Sequence, residues 1–238
     1  MKQFKKMALV LLFPRCCPVC GQIVLPKGNL ICPGCMGKLS WVRRPTCLCC
    51  GREIPIESEE YCTDCFKRPR SFDVGMALIN YNEAASRSMA QIKYNNKREY
   101  LDFYSEAMYR KLGTRLLRLK PDVLIPIPIH PDRMKTRGFN QAYELAVRLS
   151  DFLKIPVNTS ILKRTKNTLP QKSLNPSERL KNLEQAFSCV PVPPSIKTIL
   201  LVDDIYTTGS TIEACAKLLK AQGAKRVCFV TIFISSQR

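Results

Sequence analysis

Two adjacent carboxylates followed by a run of hydroxyls and a single glycine are the residues of this chain best suited to chemistry: Asp203-Asp204-Ile205-Tyr206-Thr207-Thr208-Gly209-Ser210-Thr211. Thr207 to Thr211 can turn several backbone N–H groups and hydroxyls towards one point. An amphipathic run follows (Ile212, Cys215, Ala216, Leu219) and reads as a helix, so that point lies at the positive end of a helix dipole and suits a phosphate. Ionised Asp203 and Asp204 only accept hydrogen bonds, which fits the hydroxyls of a sugar or a Mg²⁺ reached through water. Acids beside a phosphate loop suggest a ribose 5-phosphate. An ordinary strand–turn–helix corner is the plainer alternative, but a buried acid pair is costly to keep without a ligand.

A second group of chemical residues lies near the other end. Cys17/Cys20, Cys32/Cys35, Cys47/Cys50 and Cys62/Cys65 are four Cys-x-x-Cys pairs, each starting 15 residues after the last. Such a pair places two thiolates on one side of a tight turn, as two corners of a tetrahedral metal site. Eight thiolates imply two Zn²⁺, and with one histidine in the chain (His130) all-sulfur ligation is expected. Every ligand position is then filled by protein, so the zinc is structural. Sequential ribbons (17/20 with 32/35, 47/50 with 62/65) are the expected pairing and a cross-brace the alternative; Cys16 and Cys49 are treated as spare. Paired spacing argues against a disulfide-rich secreted module.

A third group is basic. Pro126-Ile127-Pro128-Ile129-His130-Pro131-Asp132-Arg133 reads as a stiff exposed loop charged by Arg133, Lys135 and Arg137. Its guanidinium forks could receive a second phosphate group. For His130 a hydrogen-bonded structural role is expected ahead of acid–base work. Between Arg87 and Lys120 nine Lys/Arg face three acids, interleaved with Tyr94, Tyr100, Phe103, Tyr104 and Tyr109. Bases of single-stranded nucleic acid stack on such aromatics; the bland alternative makes them a helix's core face. Arg164 to Asn182, polar and basic, reads as a lid with Gln171, Arg179 and Asn182 as candidate contacts.

The positioning elements follow from periodicity. Ile199-Leu200-Leu201-Val202 reads as a parallel strand buried on both faces and ending at the acid pair, where ligands of open α/β sheets bind. Val123-Leu124-Ile125 is a second buried strand, Asp73 to Tyr81 alternates like a third, and Arg226 to Ile234 closes a βαβ unit. Ala84 to Lys120 is helical in pattern, and Asn140 caps a helix to about Leu153. Residues 1–70 are expected to form an N-terminal helix and double zinc ribbon, and residues 71–238 an α/β, parallel-sheet, Rossmann-like domain. Ten of the 13 cysteines lie in the first 65 residues of the 238, which supports that division. A formal net charge of +19 predicts attraction to nucleic acid first and anionic membrane second. Two four-thiolate zinc sites at −2 each would leave about +15. Met1 to Phe13 imitates a secretion signal but ends in Pro14-Arg15-Cys16, so a short amphipathic helix is expected instead. No run approaches a membrane span.

Residues 203–211 closely resemble the phosphoribosyl-pyrophosphate (PRPP) motif of type I phosphoribosyltransferases. Together with the paired cysteines, the Pro-Ile-Pro-Ile-His loop, Arg137-Gly138-Phe139-Asn140-Gln141, Lys93, Gln171, Arg179 and Asn182, the whole chain resembles the ComF family of the ComFC type. That resemblance implies a double zinc ribbon joined to a phosphoribosyltransferase-like domain. It also implies a role in natural transformation, handling incoming single-stranded DNA in the cytoplasm or at the inner face of the membrane. Asp203 and Asp204 would meet ribose hydroxyls of Mg²⁺–PRPP and Thr207, Thr208, Gly209, Ser210 and Thr211 the 5-phosphate. Lys93, Arg133, Arg137, Gln171 and Arg179 would lie on the pyrophosphate or nucleic-acid side. An active phosphoribosyltransferase with an unidentified acceptor is the alternative reading, although no segment reads as a nucleobase-recognising hood. A docking platform for a partner such as a competence helicase is compatible with the first.

Overall fold

The computed structural model of the chain describes residues 14–165 and 185–236. The expected helix at Met1–Phe13 and the candidates Gln171, Arg179 and Asn182 lie outside the described residues. Among those described, four parallel strands form one sheet in the order β1-β6-β5-β2: β1 (Val74–Asn80), β2 (Val123–Pro126), β5 (Thr198–Tyr206) and β6 (Arg226–Ile234). A small antiparallel pair, β3 (Leu162–Arg164) with β4 (Phe187–Cys189), packs beside it.

Both faces of the sheet are dry, which is why its strands read as unbroken apolar runs rather than alternating ones. Leu200 and Val202 of β5 and Cys228 and Val230 of β6 pack on one face with α2 (Glu83–Tyr94), α3 (Tyr100–Arg118) and α5 (Gln141–Leu153). Ile199, Leu201, Val227 and Phe229 pack on the other with α6 (Ser210–Ala221), β3 and β4. The period of two in one strand thus serves two separate cores.

Three expectations change at this level, and one choice between readings is decided. The helical pattern 84–120 is two helices, because Asn95-Asn96 interrupts it and Asn96 adopts φ 55°, a left-handed conformation Asn tolerates well. Tyr100, Phe103 and Tyr104 are buried on the inner face of α3, so the core reading of those aromatics is the correct one. The basic loop is not open beyond His130: Pro131–Arg137 forms the short helix α4, with Pro at its first position and Gly138 at φ 78° closing it. Lastly, β5 does not stop at the acids but runs on to Tyr206, because β6 keeps pairing as far as Ile234 while β2 ends opposite Val202.

The cysteine-rich region is built from two like ribbons. Cys17 N–H bonds to the Gln22 carbonyl and Gly21 N–H to Cys17; thirty residues on, Cys47 bonds to Arg52 and Gly51 to Cys47. Gly21 and Gly51 both sit at φ 75°, the turn each knuckle needs. A 3₁₀ turn at Pro33–Lys38 and the short helix α1 (Thr63–Lys67) carry Cys35 and Cys65. Both ribbons join the sheet's cores. β1 is an edge strand, and Val42 N–H bonds to Leu78, Asn80 N–H to Ser40 and Gly75 N–H to Cys49 along that edge.

Candidate functional site

The end of β5 projects past β2, so Asp203 and Asp204 sit at a step in the sheet. Both are nearly enclosed, at 8% and 5% exposure. Asp204 is held by an ion pair with Lys93 Nζ, from the last turn of α2, and Gln141, at the start of α5, lies close enough to favour its ionised form. Gln141 in turn accepts from the Arg137 guanidinium. Asp203 Oδ1 accepts the Asp204 N–H at 2.8 Å and lies within electrostatic reach of Arg164 and Cys215, from the other face.

These surroundings separate the two acids. Burial, with the neighbouring Asp204, pushes the Asp203 carboxyl well above the usual carboxylate range. Burial also opposes ionisation of Asp204, but the Lys93 charge and the hydrogen bonds it receives overcome that and hold it below the usual range. The two adjacent acids are thus pushed in opposite directions by their surroundings.

Residues 137–141 each have a task. Arg137 reaches Gln141; Gly138 turns the chain; Phe139 is buried beneath the Arg98 guanidinium at 4.2 Å. Asn140 accepts from Ala142 N–H at 3.0 Å, capping α5, while its amide donates to the Ile127 carbonyl at 3.0 Å. One side chain thus ties the loop after β2 to the helix after it. His130 accepts from Asp132 N–H at 3.2 Å and caps α4, the structural role expected of it.

The hydroxyl loop follows the acids directly. Thr207 and Thr208 are exposed, Thr208 and Ser210 hydroxyls lie 2.9 Å apart, and Thr211 is in the first turn of α6. Gly209 caps α6 at φ 79°, and a Cβ there would stand 2.3 Å from the Tyr206 hydroxyl. Tyr206 cannot yield, because its ring stacks on Phe229 at 4.8 Å and meets Phe72 edge-on. We therefore expect Gly209→Ala to lower stability by about 1–3 kcal/mol, from the φ strain and the displaced ring. Thermal denaturation beside phosphate titration checks this; a loop that still binds with an unchanged melting temperature would refute the packing argument.

Arg133 is exposed on α4 and close enough to Arg137 and Arg164 to affect both; Arg137 and Arg164 are partly buried. Arg164, at the end of β3, belongs beside the candidates Lys93, Arg133 and Arg137, though the sequence pattern placed it only at the start of a lid. Its signal would have been a basic residue closing a strand, too common to single out. Tyr94 is 77% exposed, with Arg137 5.8 Å from its ring centre; Tyr109 stacks on Phe152 instead.

The cysteines assemble as sequential ribbons: Cys17, Cys20, Cys32 and Cys35 in one cluster, Cys47, Cys50, Cys62 and Cys65 in the other, with the sulfurs of each within 4.8 Å of one another. Cys20 and Cys32 sulfurs are 3.9 Å apart and those of Cys50 and Cys62 3.7 Å. Four sulfurs about 2.3 Å from a tetrahedral zinc stand about 3.8 Å apart, so both quartets fit the ion. Neither includes Cys16 or Cys49.

A parallel sheet with an acid pair and hydroxyl loop at one strand end, preceded by two four-cysteine ribbons, defines a phosphoribosyltransferase-like protein with a double zinc ribbon. Family models agree: residues 8–66 match the double zinc ribbon domain and residues 94–238 the phosphoribosyl transferase domain. Competence protein F of Haemophilus influenzae is 32% identical over 219 residues, covering 90% of this chain and 93% of its own. Competence protein ComFC of Streptococcus pneumoniae is 33% identical over 76% of this chain and 85% of its own. The DNA utilization protein YhgH of Escherichia coli K12 is 29% identical over 92% and 96%. The chain belongs to the ComF family. Among the described residues no helix is long and apolar enough to cross a membrane.

Proposed function

We propose that this protein serves DNA uptake by binding incoming single-stranded DNA in the cytoplasm and handing it on, with a pocket at residues 203–211 for the ribose 5-phosphate of Mg²⁺–PRPP. The observation that carries the reading is the placement of Tyr94. It is an exposed ring on the helix whose preceding residue, Lys93, grips Asp204, and it is flanked by Arg137. A base can stack on that ring while its sugar–phosphate follows the cations towards the loop. Lys93, Arg133, Arg137 and Arg164 outnumber the two acids, so the pocket's outer side suits a doubly charged pyrophosphate or a strand backbone. Asp203 and Asp204 would accept from the sugar hydroxyls, and Mg²⁺ bound with PRPP would neutralise the pyrophosphate. Relatives named for competence and DNA utilization support the same role.

The test is fluorescence anisotropy of labelled single-stranded DNA across a salt series, with and without Mg²⁺–PRPP. Affinity is expected to fall steeply with salt, because phosphate contacts release counterions, and to change when PRPP fills the pocket. Tyr94→Ala should weaken binding by about 1–3 kcal/mol and leave the salt slope unchanged. A flat salt dependence would overturn the reading.

A further inference from the structure

The two ribbons share one plan but not one relation to the pocket. Position 22 in the first ribbon is an exposed Gln; its counterpart thirty residues on is Arg52, 3% exposed. Arg52 donates to Asp64 Oδ2 at 2.7 Å and to the backbone carbonyl of Thr207 at 3.1 Å. Asp64 lies inside the second metal knuckle, between Cys62 and Cys65, where the first ribbon has Gly34 between Cys32 and Cys35. Arg52 also lies 5.9 Å from the centre of the Tyr206 ring, the ring that fixes Gly209. Just beyond the ribbon, Ser71 donates through N–H and hydroxyl to Glu213 in the first turn of α6, at 2.6 to 3.0 Å. The second ribbon and the segment following it thus hold the hydroxyl loop at its first residue and its helix at the first turn.

A guanidinium is a costly group to enclose unless it has a fixed use. Thr207 is where the strand ends and the loop's donors begin, so the orientation of its peptide sets the direction of the next N–H groups. We propose that the second zinc ribbon is a working part of the phosphate loop, with Arg52 as the positioning residue that transmits the metal knuckle's geometry to Thr207. Among the described residues the first ribbon makes no such link. The inference rests on the reading of residues 207–211 as a phosphate site. It makes ligand capture dependent on the metal of one ribbon rather than both. Ser235 hydroxyl also donates to Thr207, at 3.1 Å, so losing Arg52 loosens the loop without freeing it.

The experiment uses the full zinc-loaded chain with ribose 5-phosphate as the probe, in wild type, Arg52→Gln, Arg52→Lys, Asp64→Asn and Gln22→Ala. Arg52→Gln is expected to bind about tenfold more weakly, the size of a lost charge-assisted hydrogen bond. Asp64→Asn should share part of that loss, Arg52→Lys should recover part of it, and Gln22→Ala should match wild type. Two zinc ions per chain should be retained throughout. Amide hydrogen exchange at Thr208 to Thr211 provides the ligand-free readout and should quicken in Arg52→Gln and Asp64→Asn alone. Should wild type fail to bind the probe, the pocket reading falls while the exchange data still decide the role of Arg52. Unchanged loop exchange in both variants with zinc retained would overturn the proposal, as would equal effects from Gln22→Ala.

Discussion

Replacing both Asp203 and Asp204 with Asn is expected to abolish PRPP binding while leaving the fold intact. Each carboxylate that accepts from a ribose hydroxyl contributes about 1.5–3 kcal/mol, so loss of both should weaken affinity by about a hundredfold or more. The single variants should then part company in stability. The folded-state carboxyl of Asp203 holds its proton to higher pH than it would in the unfolded chain. Its contribution to stability is therefore present at low pH and lost as pH rises through the folded value. Asp203→Asn escapes that loss, and its melting temperature should gain on wild type as pH increases. Asp204 is shifted the other way, so its contribution is present above the unfolded carboxylate range and disappears on acidification. Asp204→Asn strands Lys93 in a poorly solvated position and should cost about 3 kcal/mol near neutrality. Calorimetric titration and thermal melts across pH check both halves; equal stability in the two single variants would contradict the separation of the acids.

Removal of zinc should have the largest effect on the fold. Metal analysis is expected to return two zinc ions per chain, each contributing on the order of 10 kcal/mol of folding free energy. Chelation should not merely unravel the ribbons. Cys47, Cys50, Ile54, Cys62 and Cys65 lie in the same core as Phe72, just before β1, and Val123, Leu201 and Phe229 of the sheet. The Gly51 Cα hydrogen likewise faces the Gly75 backbone so closely that a Cβ would stand 2.5 Å from the Gly75 oxygen. Far- and near-ultraviolet circular dichroism should therefore show sheet packing failing with the ribbons. A chelated protein with native near-ultraviolet signal from its buried tyrosines would refute this coupling.

Much of this was legible because it is local. Knuckle spacing prescribes a metal tetrahedron, and an apolar run ending in two acids and five loop residues prescribes a strand–loop–helix corner. Periodicity likewise located β1, β2, β6, α5 and α6. What escaped depends on partners distant in sequence. Asp203 and Asp204 are next to each other in the chain, yet Lys93 and Gln141 govern one while Arg164 and Cys215 approach the other. Tyr94 and Tyr104 look alike as aromatics in a basic run. Only the break at Asn95-Asn96 and the packing of α3 put one in solvent and the other against Phe233. Arg52 carried no signal beyond being basic, because its use lies 155 residues away at Thr207.

The pairing of the 40–49 segment along β1 bears on the order in which the chain is made. An exposed edge strand is a template for another copy, and parallel sheets form late because their partners are far apart in sequence. Here the cover is synthesised before the edge it covers. As β1 emerges, the ribbons can already have taken up their metal, so a nascent Val74–Asn80 meets its lateral partner before β6, its strand partner, exists. Metal supply during translation then becomes a guard against misassembly between neighbouring chains as well as a source of stability in the finished one.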